Sequence, residues 1–285
     1  MNDPAQIRLQ ANGVDFCALE LGRGPLVLLL HGFPDTAWSF VPVMRHLAAA
    51  GYRAVAPFMR GYPPSGLAPD GDYGVPALGR DALALIAALG EERAVLVGHD
   101  WGAAAAYVAA ALEPARISHL VTAAVPHVHR FVYWPTLRQL RRSRYMLFFQ
   151  LRGLPERRIV AGDFRWLRAL IREWSPAWNF GEAEFAPLQQ AFSDPARLAA
   201  ALAYYRAMPR SLFGREGRKL VATRIAVPAR VIRGADDGCI GAEMFDNQEQ
   251  WFSTGYELIT LRGAGHFMQC EQPEAFARAV LGFVR

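Results

Sequence analysis

Two periodicities alternate along this chain. Ile7 to Ala11 and Phe16 to Leu21 are short apolar-rich runs separated by Asn12-Gly13, a pair suited to the tight turn of a β-hairpin. After a second turn at Gly22-Arg23-Gly24-Pro25, Leu26 to Leu30 is apolar at every position, as a parallel strand buried on both faces is. The pattern then predicts a helix over Ser39 to Ala50 closed by Gly51, a strand over Arg53 to Ala56, and a helix over Val75 to Leu89 ending at Gly90. A strand over Ala94 to Val97, an alanine-rich helix over Ala103 to Leu112 and a strand over Ile117 to Ala124 follow. The alternation resumes near the far end: strand Ala229 to Arg233, helix Gly241 to Trp251, strand Tyr256 to Leu261, helix Pro273 to Val284. Pro273 stands at a helix start, where its missing N–H costs least. Such alternation implies an α/β fold, a mainly parallel sheet with helices on both faces.

Between Pro126 and about Arg224 the strand pattern disappears. Aromatic residues (Trp134, Tyr145, Phe148, Phe149, Trp166, Trp174, Trp178) and arginines recur at helical spacing. The stretch reads as a helical insertion capping the carboxyl edge of the sheet. The expected organisation is a core of residues 1–128 and 225–285 with a helical cap over 129–224. Charge divides the same way: 18 of the 31 basic residues but only 7 of the 26 acidic ones lie between Arg130 and Arg224. No nucleic-acid motif accompanies the block Arg138, Arg141, Arg142, Arg144. It reads as a solvated face of the cap, so neither a nucleic acid nor a membrane is expected as partner.

The chain of 285 residues, 52% of them hydrophobic, is long enough for a large buried core. Met1 to Gln10 lacks the apolar stretch of a signal peptide, and the longest aliphatic runs are strand-length. Cys17, Cys239 and Cys270 are odd in number and widely spaced, which suits a reduced, cytoplasmic protein. Monomer and homodimer are both open.

The sharpest chemical signal is Gly98-His99-Asp100-Trp101-Gly102, between an apolar strand and an alanine-rich helix. That is the strand–turn–helix setting of a nucleophile elbow, with aspartate where serine is usual. Serine needs a base to remove its proton, whereas a model aspartate titrates near ~4 and is already ionised at neutral pH. A carboxylate here suits displacement at saturated carbon, leaving an alkyl ester for water to cleave. An acid and then a histidine should follow in chain order. Asp236 and Asp237 follow one late strand and His266 follows the next, at the strand ends where open α/β sheets build sites. His266 would activate water while the acid orients its ring. The amides of Phe33 and Trp101 are the expected oxyanion donors. His127-x-His129 lacks a further ligand at zinc spacing, and Gly22-Arg23-Gly24 lacks the dinucleotide pattern. No metal or cofactor is expected. Trp38 reads as core, and Asp35 either caps the helix from Ser39 or hydrogen-bonds near the site.

His31-Gly32-Phe33-Pro34, Arg60-Gly61-Tyr62, the Asp100 elbow, Gly265-His266-Phe267 and Glu271-Gln272-Pro273-Glu274 occur in this order. Together they resemble the α/β-hydrolase-fold epoxide hydrolases and their haloalkane dehalogenase relatives, over nearly the whole chain. The resemblance implies the α/β-hydrolase fold with a helical cap, and it selects Asp237, three residues after Gly234, as the acid. It also implies that two cap tyrosines donate to the epoxide oxygen. Tyr145 in Tyr145-Met146-Leu147-Phe148-Phe149-Gln150 fits the first. Tyr205 fits the second, in Ala203-Tyr204-Tyr205-Arg206 where the family carries Asn-Trp-Tyr-Arg. The substrate-binding set is therefore Phe33, Trp101, Tyr145 and Tyr205, with an epoxide and water as the small-molecule partners and a vicinal diol as product. A haloalkane dehalogenase would carry asparagine at position 33 as second halide donor, and a fluoroacetate-type enzyme arginine at position 101. Phe33 and Trp101 stand there instead. The remaining alternatives are a dehalogenase using the same aspartate and a non-catalytic ligand-binding protein on a hydrolase scaffold.

Overall fold

In the computed structural model, which describes residues 3–284, eight strands form one sheet in the order β1-β2-β4-β3-β5-β6-β7-β8. They are β1 (Ala5–Ala11), β2 (Val14–Leu21), β3 (Leu26–Leu30), β4 (Arg53–Pro57), β5 (Ala94–His99), β6 (Ile117–Ala123), β7 (Ala229–Gly234) and β8 (Tyr256–Leu261). The first two pair antiparallel across Asn12-Gly13, whose positive φ values of 43° and 74° give the turn its hand. β2 joins β4 antiparallel, and every later pairing is parallel. β3 and β5 are buried at every position, as strands covered on both faces must be.

The core helices are α1 (Val41–Ala49), α2 (Val75–Ala88) and α3 (Trp101–Leu112), joined at the far end by α11 (Met268–Glu271) and α12 (Pro273–Val284). Between β6 and β7 lie only helices: α4 (Val128–Tyr133), α5 (Leu137–Arg142), α6 (Arg144–Phe148), α7 (Leu154–Trp174), α8 (Glu182–Ser193), α9 (Pro195–Phe213) and α10 (Arg215–Val221). α7 is broken at residues 161–164, where Gly162, Asp163 and Phe164 take positive φ.

Three expectations need correction. The helix expected from Ser39 begins as α-helix only at Val41, after a 3-10 turn over Ala37–Phe40. The Ser39 hydroxyl is held by Asp35 Oδ2 at 2.6 Å, within that turn. The expected helix Gly241 to Trp251 is two separate 3-10 turns. Asn247 interrupts it at φ 57°, and Gln248 is drawn inward, accepting from the His127 amide and donating to the Tyr256 hydroxyl. Trp38 is not core: its side chain is exposed and rests edge-on against Phe58.

Strand order fixes where chemistry can occur. The chain leaves β3 toward β4 on one side and reaches β5 on the other, so the order reverses between β3 and β5. That reversal opens a crevice beyond the strands' carboxyl ends. Leu30 pairs with Gly98 there, bringing the loop after β3 against the turn after β5.

Candidate active site

Asp100 stands in that crevice as the residue before α3, with φ 52° and ψ −117°. This is a costly backbone for a residue with a Cβ, and such strain collects at functional sites. The flanking glycines make the turn possible. A Cβ on Gly98 would run into the Gly102 backbone, and one on Gly102 into the Leu30 and His31 carbonyls. The Phe33 amide donates to Asp100 Oδ1 at 2.7 Å. Burial pushes the Asp100 carboxyl up, while the His266 ring and the Phe33 and Trp101 amides pull it back.

His266, fully buried, stands on the loop after β8. Its Nδ1 lies 3.0 Å from Asp237 Oδ2. Asp237 Oδ1 in turn accepts from the amides of Cys239 (2.7 Å) and Ile240 (2.9 Å). A carboxylate is acceptor only, so Nδ1 carries the proton and Nε2 keeps its lone pair. That Nε2 has no hydrogen-bond partner and faces Asp100 Oδ2 at 3.8 Å. Burial pulls the imidazole down, but Asp237 and then Asp100 outweigh it and hold it above its ordinary 6.5. Asp236 makes no contact with His266 of this kind; the acid brought to the ring is Asp237.

Across the crevice stands the helical segment. An apolar cavity is lined from the core by Asp100, Trp101, Ala104 and Val125, and from the helices by Phe131, Val132, Tyr145, Met146, Tyr205 and Met208. Tyr145 and Tyr205 pack edge to face, ring centroids 5.8 Å apart. The Tyr205 ring stands at 5.0 Å from Trp101 and 5.4 Å from Phe33, and its buried hydroxyl meets only the Trp101 side chain, too loosely for a full hydrogen bond. The Tyr145 hydroxyl lies 3.6 Å from Cys239 Sγ. Burial first, and nearby charge including Asp100, holds both phenols well above 10, so both remain protonated donors. Tyr204 turns away and donates to the Arg60 carbonyl at 2.7 Å. Of the two adjacent tyrosines, only Tyr205 lines the cavity.

Sequence reasoning missed the supports. Trp174, at the end of α7, offers its carbonyl to the amides of both His266 and Gly238, each at 3.0 Å. Ser175 Oγ accepts from the Phe267 amide at 3.0 Å and donates to Glu271 Oε1 at 2.7 Å. Glu271 Oε2 accepts from the Gly265 amide at 2.8 Å. The helical segment thus ties down the loop that carries His266. No spacing in the chain signals these backbone contacts. The signal for Glu271 was the Glu-Gln-Pro-Glu run, read only as family likeness. His99 donates Nε2–H to the His266 carbonyl at 2.9 Å and is held neutral by burial. Asp35 accepts from the Thr36 amide, the Ser39 hydroxyl and Gln269, and burial pushes its carboxyl up to about 7. His127 accepts from the His129 amide at the start of α4. Among the described residues no group of three or more His, Cys, Asp or Glu side chains could hold a metal ion.

A carboxylate on a strained elbow, two backbone donors and a buried Asp–His pair on a parallel sheet define an α/β hydrolase. The family model described as alpha/beta hydrolase fold matches residues 25–273. Epoxide hydrolase A of Mycobacterium tuberculosis (strain ATCC 25618 / H37Rv) is 30% identical over 321 residues, covering 100% of this chain and 98% of that protein. The AB hydrolase superfamily protein YfhM of Bacillus subtilis (strain 168) is 29% identical over 286 residues, 97% of this chain and 96% of that one. Among solved structures, Epoxide Hydrolase A from Mycobacterium thermoresistibile superposes with a TM-score of 0.85 at 26% identity, covering 99% of this chain and 98% of the other. A laboratory-evolved variant of a potato epoxide hydrolase gives 0.86 at 26% identity, covering 99% of each. The chain belongs to the α/β-hydrolase-fold epoxide hydrolase family.

Proposed function

We propose that this protein is a cofactor-free epoxide hydrolase that converts an epoxide to a vicinal diol in two steps. Asp100 attacks one oxirane carbon, and the C–O bond electrons go to the ring oxygen, which takes a proton from Tyr205 or Tyr145. Water then adds to the carbonyl carbon of the Asp100 ester. His266 Nε2 takes the water's proton, the imidazolium rests against Asp237, and the Phe33 and Trp101 amides hold the oxyanion. Collapse breaks the ester C–O bond, and the departing alkoxide takes the carboxyl proton to become the second hydroxyl of the diol, leaving Asp100 as carboxylate. Proton return from His266 to the tyrosine through solvent closes the cycle.

The observation that carries this reading is the pairing, in one apolar cavity, of an ionisable nucleophile with two buried phenols. An ester-cleaving enzyme needs no acid above the nucleophile. A dehalogenase expels halide, which wants N–H donors and needs no proton. An epoxide oxygen leaves as alkoxide and does need one. The lining suits a substrate with an apolar substituent. Residues 129–224 form the cap domain in this reading, between core residues 1–128 and 225–285. We place the protein in the cytoplasm, a compartment that suits three unpaired cysteines; no helix among the described residues is long and apolar enough to cross a membrane.

The test is a product assay on small aliphatic, styrene-type and trans-disubstituted epoxides beside a haloalkane panel. Diol from at least one epoxide, without halide release, is the expected result. Halide without diol would assign the same aspartate to a dehalogenase. Tight binding without turnover on both panels would make the chain a ligand-binding protein.

A further inference from the structure

Seven of the eleven exposed large hydrophobic side chains among the described residues fall within one stretch, from Tyr133 to Leu154. A lone exposed leucine is ordinary on a protein surface, but this concentration spans α5, α6 and the start of α7. Leu137 is 77% exposed and Leu147 75%, with Trp134, Leu140, Leu151 and Leu154 beside them in sequence. Leu137, Leu140, Arg141 and Arg144 share a shallow concavity, and Arg144 also borders a second one with Phe148, Leu154 and Arg158. Clustered apolar exposure of this kind marks an interaction site.

The charges around it select the partner. Arg138, Arg141, Arg157 and Arg158 pair with no carboxylate among the described residues. Arg144 alone on this rim reaches one, Glu173 at 3.4 Å; the stretch from Tyr133 to Leu154 holds no acid, and the next one along the chain, Glu156, is taken by Arg206. We propose that this face docks on an anionic lipid bilayer, with Trp134, Leu137, Leu140 and Leu147 in the interfacial layer and the arginines among the headgroup phosphates. Leucines beside cationic side chains are the pattern of interfacial association. Nucleic acid would engage the arginines and leave the leucines in water. A second copy of this face would bring like-charged arginine rows together. α6 also walls the cavity with Met146, beside Phe131 and Val132 of the adjoining α4, so docking would set an apolar cavity beside a reservoir of apolar molecules. The inference concerns binding alone and stands whatever reaction Asp100 performs.

The test floats the full chain with vesicles of phosphatidylcholine alone and with one-third phosphatidylserine. Binding should appear only on the anionic vesicles and weaken several-fold between about 0.05 and 0.5 M salt as the charges are screened. The double variant L137E/L147E should bind at least about tenfold less, as should R141E/R158E, with far-ultraviolet circular dichroism unchanged. Brominated acyl chains should quench fluorescence in the parent more than in W134F. No binding to anionic vesicles at low salt, or undiminished binding by both double variants, overturns the proposal. So does a dimer in sedimentation that L137E/L147E dissociates, which would give the face to a second copy, or retention on duplex DNA without vesicle binding.

Discussion

The strand-end loops and the helical segment meet at one cavity but are built on different logic. On the core side each reactive group hangs from its own strand: Phe33 after β3, Asp100 after β5, Asp237 after β7, His266 after β8. Sheet pairing fixes their separations, and backbone amides hold the carboxylates, from the loop after β3 for Asp100 and from its own loop for Asp237. On the helical side the tyrosines hold position by ring packing, and their hydroxyls are only loosely met. In the proposed mechanism the core supplies covalent chemistry and the helices supply protons, so damage to the two sides should differ in kind.

The largest effect should come from Asp100→Ala. With no nucleophile, diol formation should fall by about 10⁴-fold or more, and mass spectrometry should find no alkyl-enzyme. Next is His266→Gln, which should lower steady-state turnover by about 10³-fold yet give a stoichiometric burst of alkylated Asp100. Turnover at the parent rate by either variant would break the division between the two sides.

Cap variants should slow alkylation and spare ester hydrolysis. Tyr205→Phe, which removes the loosely met phenol, should cost about 10²-fold in the alkylation rate. Tyr145→Phe should cost less, since its hydroxyl is shared with Cys239 Sγ. Stopped-flow tryptophan fluorescence separates the two steps. Equal loss in both steps would contradict the assignment. Tyr204→Phe sharpens the point from the neighbouring position. It should leave alkylation within about threefold and cost about 1 kcal/mol of stability, from the lost bond to the Arg60 carbonyl.

The smallest expected effect is on pH dependence. His266 must be neutral to act as base, and its carboxylate neighbours raise its titration above 6.5. Ester hydrolysis should fall as pH drops and the inactive imidazolium form accumulates; because Asp100 is uncharged in the ester, only Asp237 then opposes burial at close range, so this acid limb should lie lower than the His266 titration of the free enzyme. No acid limb in a single-turnover profile of ester hydrolysis would reject the role given to His266.

What could be read from the chain follows the same contrast. Asp100, Asp237 and His266 were legible because turn chemistry and strand order are local patterns, and the sheet then forces their meeting. Between Asp236 and Asp237 the residues alone were silent; family likeness pointed to Asp237, and it is the one at His266 Nδ1. Tyr145 and Tyr205 lie on helices whose registry depends on packing far along the chain. Nothing local separates Tyr205 from Tyr204 except which way α9 is rotated, and the Arg60 carbonyl anchors that rotation. Trp174 acts through its backbone carbonyl, which any residue could offer at the right place, while Ser175 and Glu271 act through side chains that meet only once the helical segment packs on the loop. No continuous helix forms over Gly241 to Trp251, despite its apolar spacing, because Gln248 is drawn inward between the His127 amide and the Tyr256 hydroxyl.

The central claim is that Asp100 forms a covalent ester in the course of turnover. A single turnover in ¹⁸O-water, with enzyme in excess over epoxide, tests it most directly. One Asp100 carboxylate oxygen should carry the label, and the first diol released should carry none from water. Labelled diol on the first turnover, with Asp100 unlabelled, would mean that water attacks the epoxide itself and would contradict the account.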